Sequence, residues 1–88
     1  MNNLDIFLEK YHQNILNSIN AKITEENLTQ KKLAALTKIS QPTLSKLLSG
    51  KSNFTLDQLA RISYALQIDI AEITSFKSMK NEFVDNIT

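Results

Sequence analysis

Residues 28–51, LTQKKLAALTKISQPTLSKLLSGK, constrain this chain more than any other stretch. Two apolar-periodic runs flank Thr37-Lys38-Ile39-Ser40, a gap with room for a turn and nothing longer. Leu33, Leu36 and Ile39 are expected to form the inner face of the first run. Leu44, Leu47 and Leu48 stand at i, i+3 and i+4 in the second. The pattern predicts two short helices held close by a tight turn, and the rest of the chain must bury their apolar sides.

Charge is gathered on the same stretch. It carries Lys31, Lys32, Lys38, Lys46 and Lys51 and no acidic residue. The whole chain is nearly neutral, with a formal charge of +1 from 10 basic and 9 acidic residues. Outside residues 28–51 the acidic residues therefore outnumber the basic ones. Lysines also solvate ordinary helix faces, but a surface of one sign opposite a surface of the other orients a molecule on a polyanion. Two short helices, five positive charges and an outward polar row have the shape of a DNA-reading helix-turn-helix.

A chain of 88 residues makes one small domain. Such a domain buries only about 60% of its extended surface, so its stability is expected to be modest unless it associates. With 42% hydrophobic residues the composition is that of a globular chain. The absence of cysteine excludes disulfides and thiolate metal sites. No apolar run approaches the roughly 20 residues that span a bilayer, and MNNLDIFLEKYH does not read as a signal peptide. A cytoplasmic protein with no membrane association is expected. One histidine, no Gly-rich phosphate loop and no clustered carboxylates leave nothing from which to build an active site, so no enzyme and no cofactor are expected.

Residues 3–24 read as the first helix, with Leu4, Phe7, Leu8, Tyr11, Ile15, Ile19 and Ile23 at spacings of three and four. His12 lies beside this stripe without other ligand types and reads as a surface or boundary residue. Asn27 tolerates the left-handed conformation common at a helix end. Four later starts pair a hydrophobic residue with another five positions on, around a capping residue. They are Leu28-Thr29 with Leu33, Ile39-Ser40 with Leu44, Phe54-Thr55 with Leu59, and Ile68-Asp69 with Ile73. Thr55 with Gln58 and Asp69 with Glu72 add capping-box chemistry. Helices are predicted near 29–37, 40–48, 55–66 and 69–75.

Pro42 biases Gln41 toward extended angles, which would make Gln41 the cap. The Ile39–Leu44 pair instead favours Ser40, with the proline in the first turn where a missing N–H costs nothing. Gly50 is predicted to be the left-handed residue that ends the third helix. Leu56, Leu59, Ile62, Ser63 and Leu66 give the fourth helix a core face. Arg61 and Tyr64 are placed to reach either a phosphate or a dimer partner. In the tail, Phe76, Met79, Phe83 and Ile87 recur at spacings of three, four and four. That amphipathic stripe suits packing back on the domain or pairing with a second subunit.

From Leu28 to Ile73 the sequence resembles the helix-turn-helix family of lambda-type phage repressors and Cro proteins, also called the XRE family. The resemblance rests on Leu28-Thr29-Gln30, Leu33-Ala34, Ile39-Ser40-Gln41, Thr43-Leu44-Ser45, Gly50-Lys51 and Leu66-x-Ile68. It implies an all-α, five-helix lambda repressor-like fold, here with an extended first helix and a C-terminal amphipathic tail. Residues 1–88 would form one domain with its core in 14–75 and the tail in 76–88. One position departs from the family, which usually has glycine where this chain has Lys38. A lysine there must accept a left-handed angle or a different turn, at roughly 1 kcal/mol.

What the resemblance implies for function is sequence-specific binding of double-stranded DNA as a dimer on a palindrome. Gln41, Pro42, Thr43 and Lys46 would face bases in the major groove. Gln pairs well with adenine, Lys with guanine, and a Thr methyl with thymine; Pro42 offers apolar contact only. Gln30, Lys31, Ser45, Ser49, Lys51 and Asn53 would touch phosphate or the rim. Ala34, small and inward, would let the two helices cross closely. Apart from the resemblance, the small size of the domain and the apolar stripe of Phe76, Met79, Phe83 and Ile87 lead to the expectation that this tail joins two subunits. The expected role is a transcriptional regulator, a repressor of phage, plasmid or restriction-control type. The alternative is an antitoxin whose main task is binding a protein partner through its termini; a toxin or an antirepressor would be such a partner.

Overall fold

The computed structural model describes residues 2–69 and 71. Among them lie four α-helices and no strand: α1 (Asn3–Glu25), α2 (Gln30–Thr37), α3 (Gln41–Leu48) and α4 (Leu56–Leu66). The helix expected at 69–75 falls outside the described residues except for Asp69 and Ala71. The Asp69 carboxylate accepts the Ala71 N–H at 2.9 Å, as a capping side chain does. The tail with Phe76, Met79, Phe83 and Ile87 lies wholly outside them.

Each helix starts on a side-chain oxygen. Asn2 accepts the Asp5 N–H at 2.9 Å and Thr29 accepts that of Lys32 at 3.1 Å. Ser40, not Gln41, caps α3 by accepting the Thr43 N–H at 3.3 Å. Thr55 and Gln58 form the expected reciprocal box, at 3.1 and 2.9 Å. A cap of this kind contributes about 1 kcal/mol.

Helix ends are equally local. Asn27, Gly50 and Gln67 take positive φ, at 54°, 81° and 58°. At each, two backbone bonds close the last turn: Leu28 N–H to Ile23 O with Asn27 N–H to Thr24 O, Lys51 to Lys46 with Gly50 to Leu47, and Ile68 to Ser63 with Gln67 to Tyr64. Asn27 and Gly50 were expected in this role; Gln67 was not.

The core is Ile15, Ile19, Leu33, Ile39, Leu44, Leu47, Leu59, Ile62 and Leu66. Leu28 and Phe54 pack partly buried against it, so the first three apolar pairs around helix starts all end in the core. α2 packs on α3 and α4, and α1 packs on α3. Burying a leucine or isoleucine side chain contributes about 1.5–3 kcal/mol, so this shared core fixes the α2–α3 angle.

Two expected core residues are exposed. Leu36 is 45% exposed because α2 buries the sector of Leu33, Ala34 and Thr37, and Leu36 falls to one side of it. Leu56 is 75% exposed: it lies on the α4 stripe but opens the helix, before the packed turns begin. The N-terminal half of α1 also extends beyond the core, with Leu4 63% and Leu8 43% exposed and Phe7 stacked on Tyr11.

Candidate nucleic-acid interface

α3 presents one polar face. Its inner side is used up by Leu44 and Leu47, both buried, and by half-buried Leu48. At about 100° per residue the opposite side is centred on Pro42 and Ser49, with Ser45 on one flank, Lys46 on the other, and Gln41 at the border beyond Ser45, in line with Leu48. All five are exposed. Thr43 stands at the border of this face and is half-buried. Its hydroxyl oxygen accepts a hydrogen bond from Ser40 Oγ at 2.9 Å. Its own O–H proton and its methyl remain available for contact. Ser49 Oγ donates to Lys46 O at 3.2 Å.

The rim is built by the helix starts and stops. Gln30, Lys31 and Lys32 open α2, all exposed, on the turn that Thr29 caps. Lys51 and Asn53 follow Gly50 and are also exposed. A Cβ at Gly50 would meet Leu16 Cδ1 of α1 at 3.3 Å, so the chain leaves α3 pressed against α1. Asn20 of α1 donates through Nδ2 to Leu48 O at 3.3 Å and ties the same end of α3. None of Lys31, Lys32, Lys38, Lys46 and Lys51 pairs with a carboxylate among the described residues. Lys22 does, with Glu25 at 3.6 Å and Glu26 at 3.2 Å, and the Glu26 hydrogen bond chiefly holds its ammonium pKa above the ordinary value.

The turn between α2 and α3 is tied from several sides. Lys38 takes the left-handed conformation, φ 63° and ψ 23°, and its N–H reaches Ala34 O at 2.9 Å. The lysine thus accepts the angle at which the family has glycine, and no other turn replaces it. Thr37 is buried; its hydroxyl donates to Leu33 O at 2.8 Å and accepts the Ile39 N–H at 3.2 Å. Arg61 of α4 donates through Nη1 to Thr37 O at 3.1 Å and through Nε to Asp57 Oδ2 at 2.7 Å. Sequence reasoning missed Thr37, Arg61 and Asn20 in these roles, because nothing in their spacing says which backbone carbonyl lies opposite.

This constellation is the helix-turn-helix: a short helix, a left-handed turn residue, and a second helix with a buried inner side and a free polar side. The family model for the Cro/C1-type HTH DNA-binding domain matches residues 19–78. The chain belongs to that family. The match takes in α2, the turn, α3, α4 and the last part of α1, and so covers the whole polar face. No curated protein and no solved structure matches the chain. Membership makes it a DNA-binding protein of Cro/C1 type, and double-stranded DNA is its partner. Domains of this type typically carry no enzymatic activity. His12 is exposed, and no three metal-ligating side chains gather among the described residues. No helix there is long and apolar enough to cross a membrane.

Proposed function

We propose that this Cro/C1-type protein is a cytoplasmic transcriptional repressor that binds a palindromic operator as a dimer. The observation that carries the reading is the polar face of α3. It is exposed, free of carboxylate partners among the described residues, and held by a buried inner side that leaves it no structural task. Gln41, Pro42 and Lys46 then meet base edges, with Thr43 offering its methyl from the border. Gln30, Lys31, Ser45, Ser49, Lys51 and Asn53 hold phosphates. Two such helices sit in successive major grooves about 34 Å apart, joined through Phe76, Met79, Phe83 and Ile87. Leu4 and Leu8, exposed on α1, support a second reading in which a protein partner binds there, as an antitoxin binds a toxin. Co-purification of a second protein with the native chain, abolished by Leu8→Glu, separates that reading from the first.

Selection of bound duplexes from a random pool tests the proposal, because it reports sequence preference, half-site symmetry and spacing together. Gln41→Ala then tests the helix placement. The side chain is exposed, so the fold should survive. The variant should lose about 1–3 kcal/mol per half-site on the selected operator, most at an adenine. It should lose little on an operator altered at that base. Equal losses on both duplexes would make Gln41 a backbone contact and refute the placement.

A further inference from the structure

We infer that Arg61 is a positioning residue for DNA reading: it holds the turn that aims α3, without itself touching DNA. The inference rests on the reading of α3 as the DNA-facing helix. The α2–α3 junction contains one residue, Lys38, in a conformation that a side chain disfavours. Rotation about its N–Cα bond, the φ angle, swings the Thr37 carbonyl relative to everything that follows. That carbonyl is the atom Arg61 grips, at 3.1 Å.

The other bonds at the junction are internal to it. Lys38 N–H to Ala34 O, Thr37 Oγ1 to Leu33 O and Ile39 N–H to Thr37 Oγ1 join residues of α2 and the turn to one another. Among the described residues, the Arg61 bond is the one that reaches it from another helix. Asp57, one turn earlier on α4, takes Arg61 Nε at 2.7 Å and so orients the guanidinium. A charged donor at the carbonyl end of α2 also suits the helix dipole. α4 thereby holds the Thr37 peptide at the angle that keeps Lys38 left-handed, and α3 follows.

Arg61→Met keeps the side-chain stem and removes both donors. Measured below its melting temperature, the variant should bind the selected operator roughly tenfold more weakly, the loss of one partly exposed charge-assisted bond. Affinity for unrelated duplex should change little. In the free protein, the amide–Hα coupling of Lys38 should change and the Ile39 and Ser40 amide resonances should move. Adding Lys38→Gly removes the steric penalty on the left-handed angle. The double variant should regain most of the selectivity and return the Ile39 and Ser40 resonances. An unchanged Lys38 coupling in Arg61→Met would overturn the inference. So would an equal loss on all duplexes that Lys38→Gly does not mend, which would make Arg61 a phosphate contact. If the unaltered protein shows no sequence preference, the repressor reading fails, while the Lys38 coupling still decides whether Arg61 sets the turn.

Discussion

Lys38→Gly should stabilise the domain, although it removes a side chain and adds none. Lys38 sits at φ 63° and ψ 23°, where a Cβ costs roughly 1–2 kcal/mol. Glycine escapes that cost but gains freedom in the unfolded chain, which takes back about 0.4–1 kcal/mol. The side chain is exposed and pairs with no carboxylate among the described residues, so truncation breaks no such ion pair. The net gain lies between about 0 and 1.6 kcal/mol and centres on about 0.8 kcal/mol, which for a domain of this size raises the melting temperature by about 3–6 °C. Urea denaturation should show a higher midpoint at unchanged slope. Lys38→Ala is the control: it removes the same charge but keeps the Cβ, and it should give no gain. If the glycine variant melts no higher than the alanine variant, the turn is not strained at this residue.

Gly50→Ala should act in the opposite direction, costing about 1–2 kcal/mol in urea denaturation, because φ is 81° and the new Cβ would crowd Leu16 at 3.3 Å. Lys51→Ala should weaken binding to all duplexes alike. A dimer carries this lysine twice, so the slope of log K against log salt should flatten by up to about 1.8. An unchanged slope would leave Lys51 as a solvating residue only. Deleting residues 76–88 should weaken self-association and DNA affinity together; a truncated protein that sediments like the full chain would remove the tail from the interface.

What could be read from the sequence was what a few neighbouring residues decide among themselves. Thr29, Ser40 and Thr55 cap their helices because the N–H groups they satisfy lie three residues on. Asn27 and Gly50 end theirs because a left-handed residue closes the turn behind it. The polar face of α3 follows from the same arithmetic, since Leu44 and Leu47 fix which side is inward. Leu36 and Leu56 were misplaced for a tertiary reason. Periodicity says which residues share a side of a helix, and it leaves open which part of that side another helix covers.

The same limit explains why the turn was legible only in half. Its departure from the family, a lysine in place of glycine, is visible as a single letter, and the angle that letter must adopt follows from sterics. What the letter does not show is how the angle is held. Thr37 answers part of this locally, by filling two backbone partners with one hydroxyl. The other part comes from Arg61, 24 residues further along, whose position off the α4 core stripe pointed to a phosphate or a dimer partner and not to the Thr37 carbonyl. A glycine at the turn would adopt the left-handed angle without support; a lysine makes the angle depend on its neighbours. On the proposed reading of α3 as the DNA-facing helix, the fit of Gln41 and Lys46 to a groove then depends on a hydrogen bond made from α4. By the inference drawn above, α3 is aimed from α4 as much as from the turn itself.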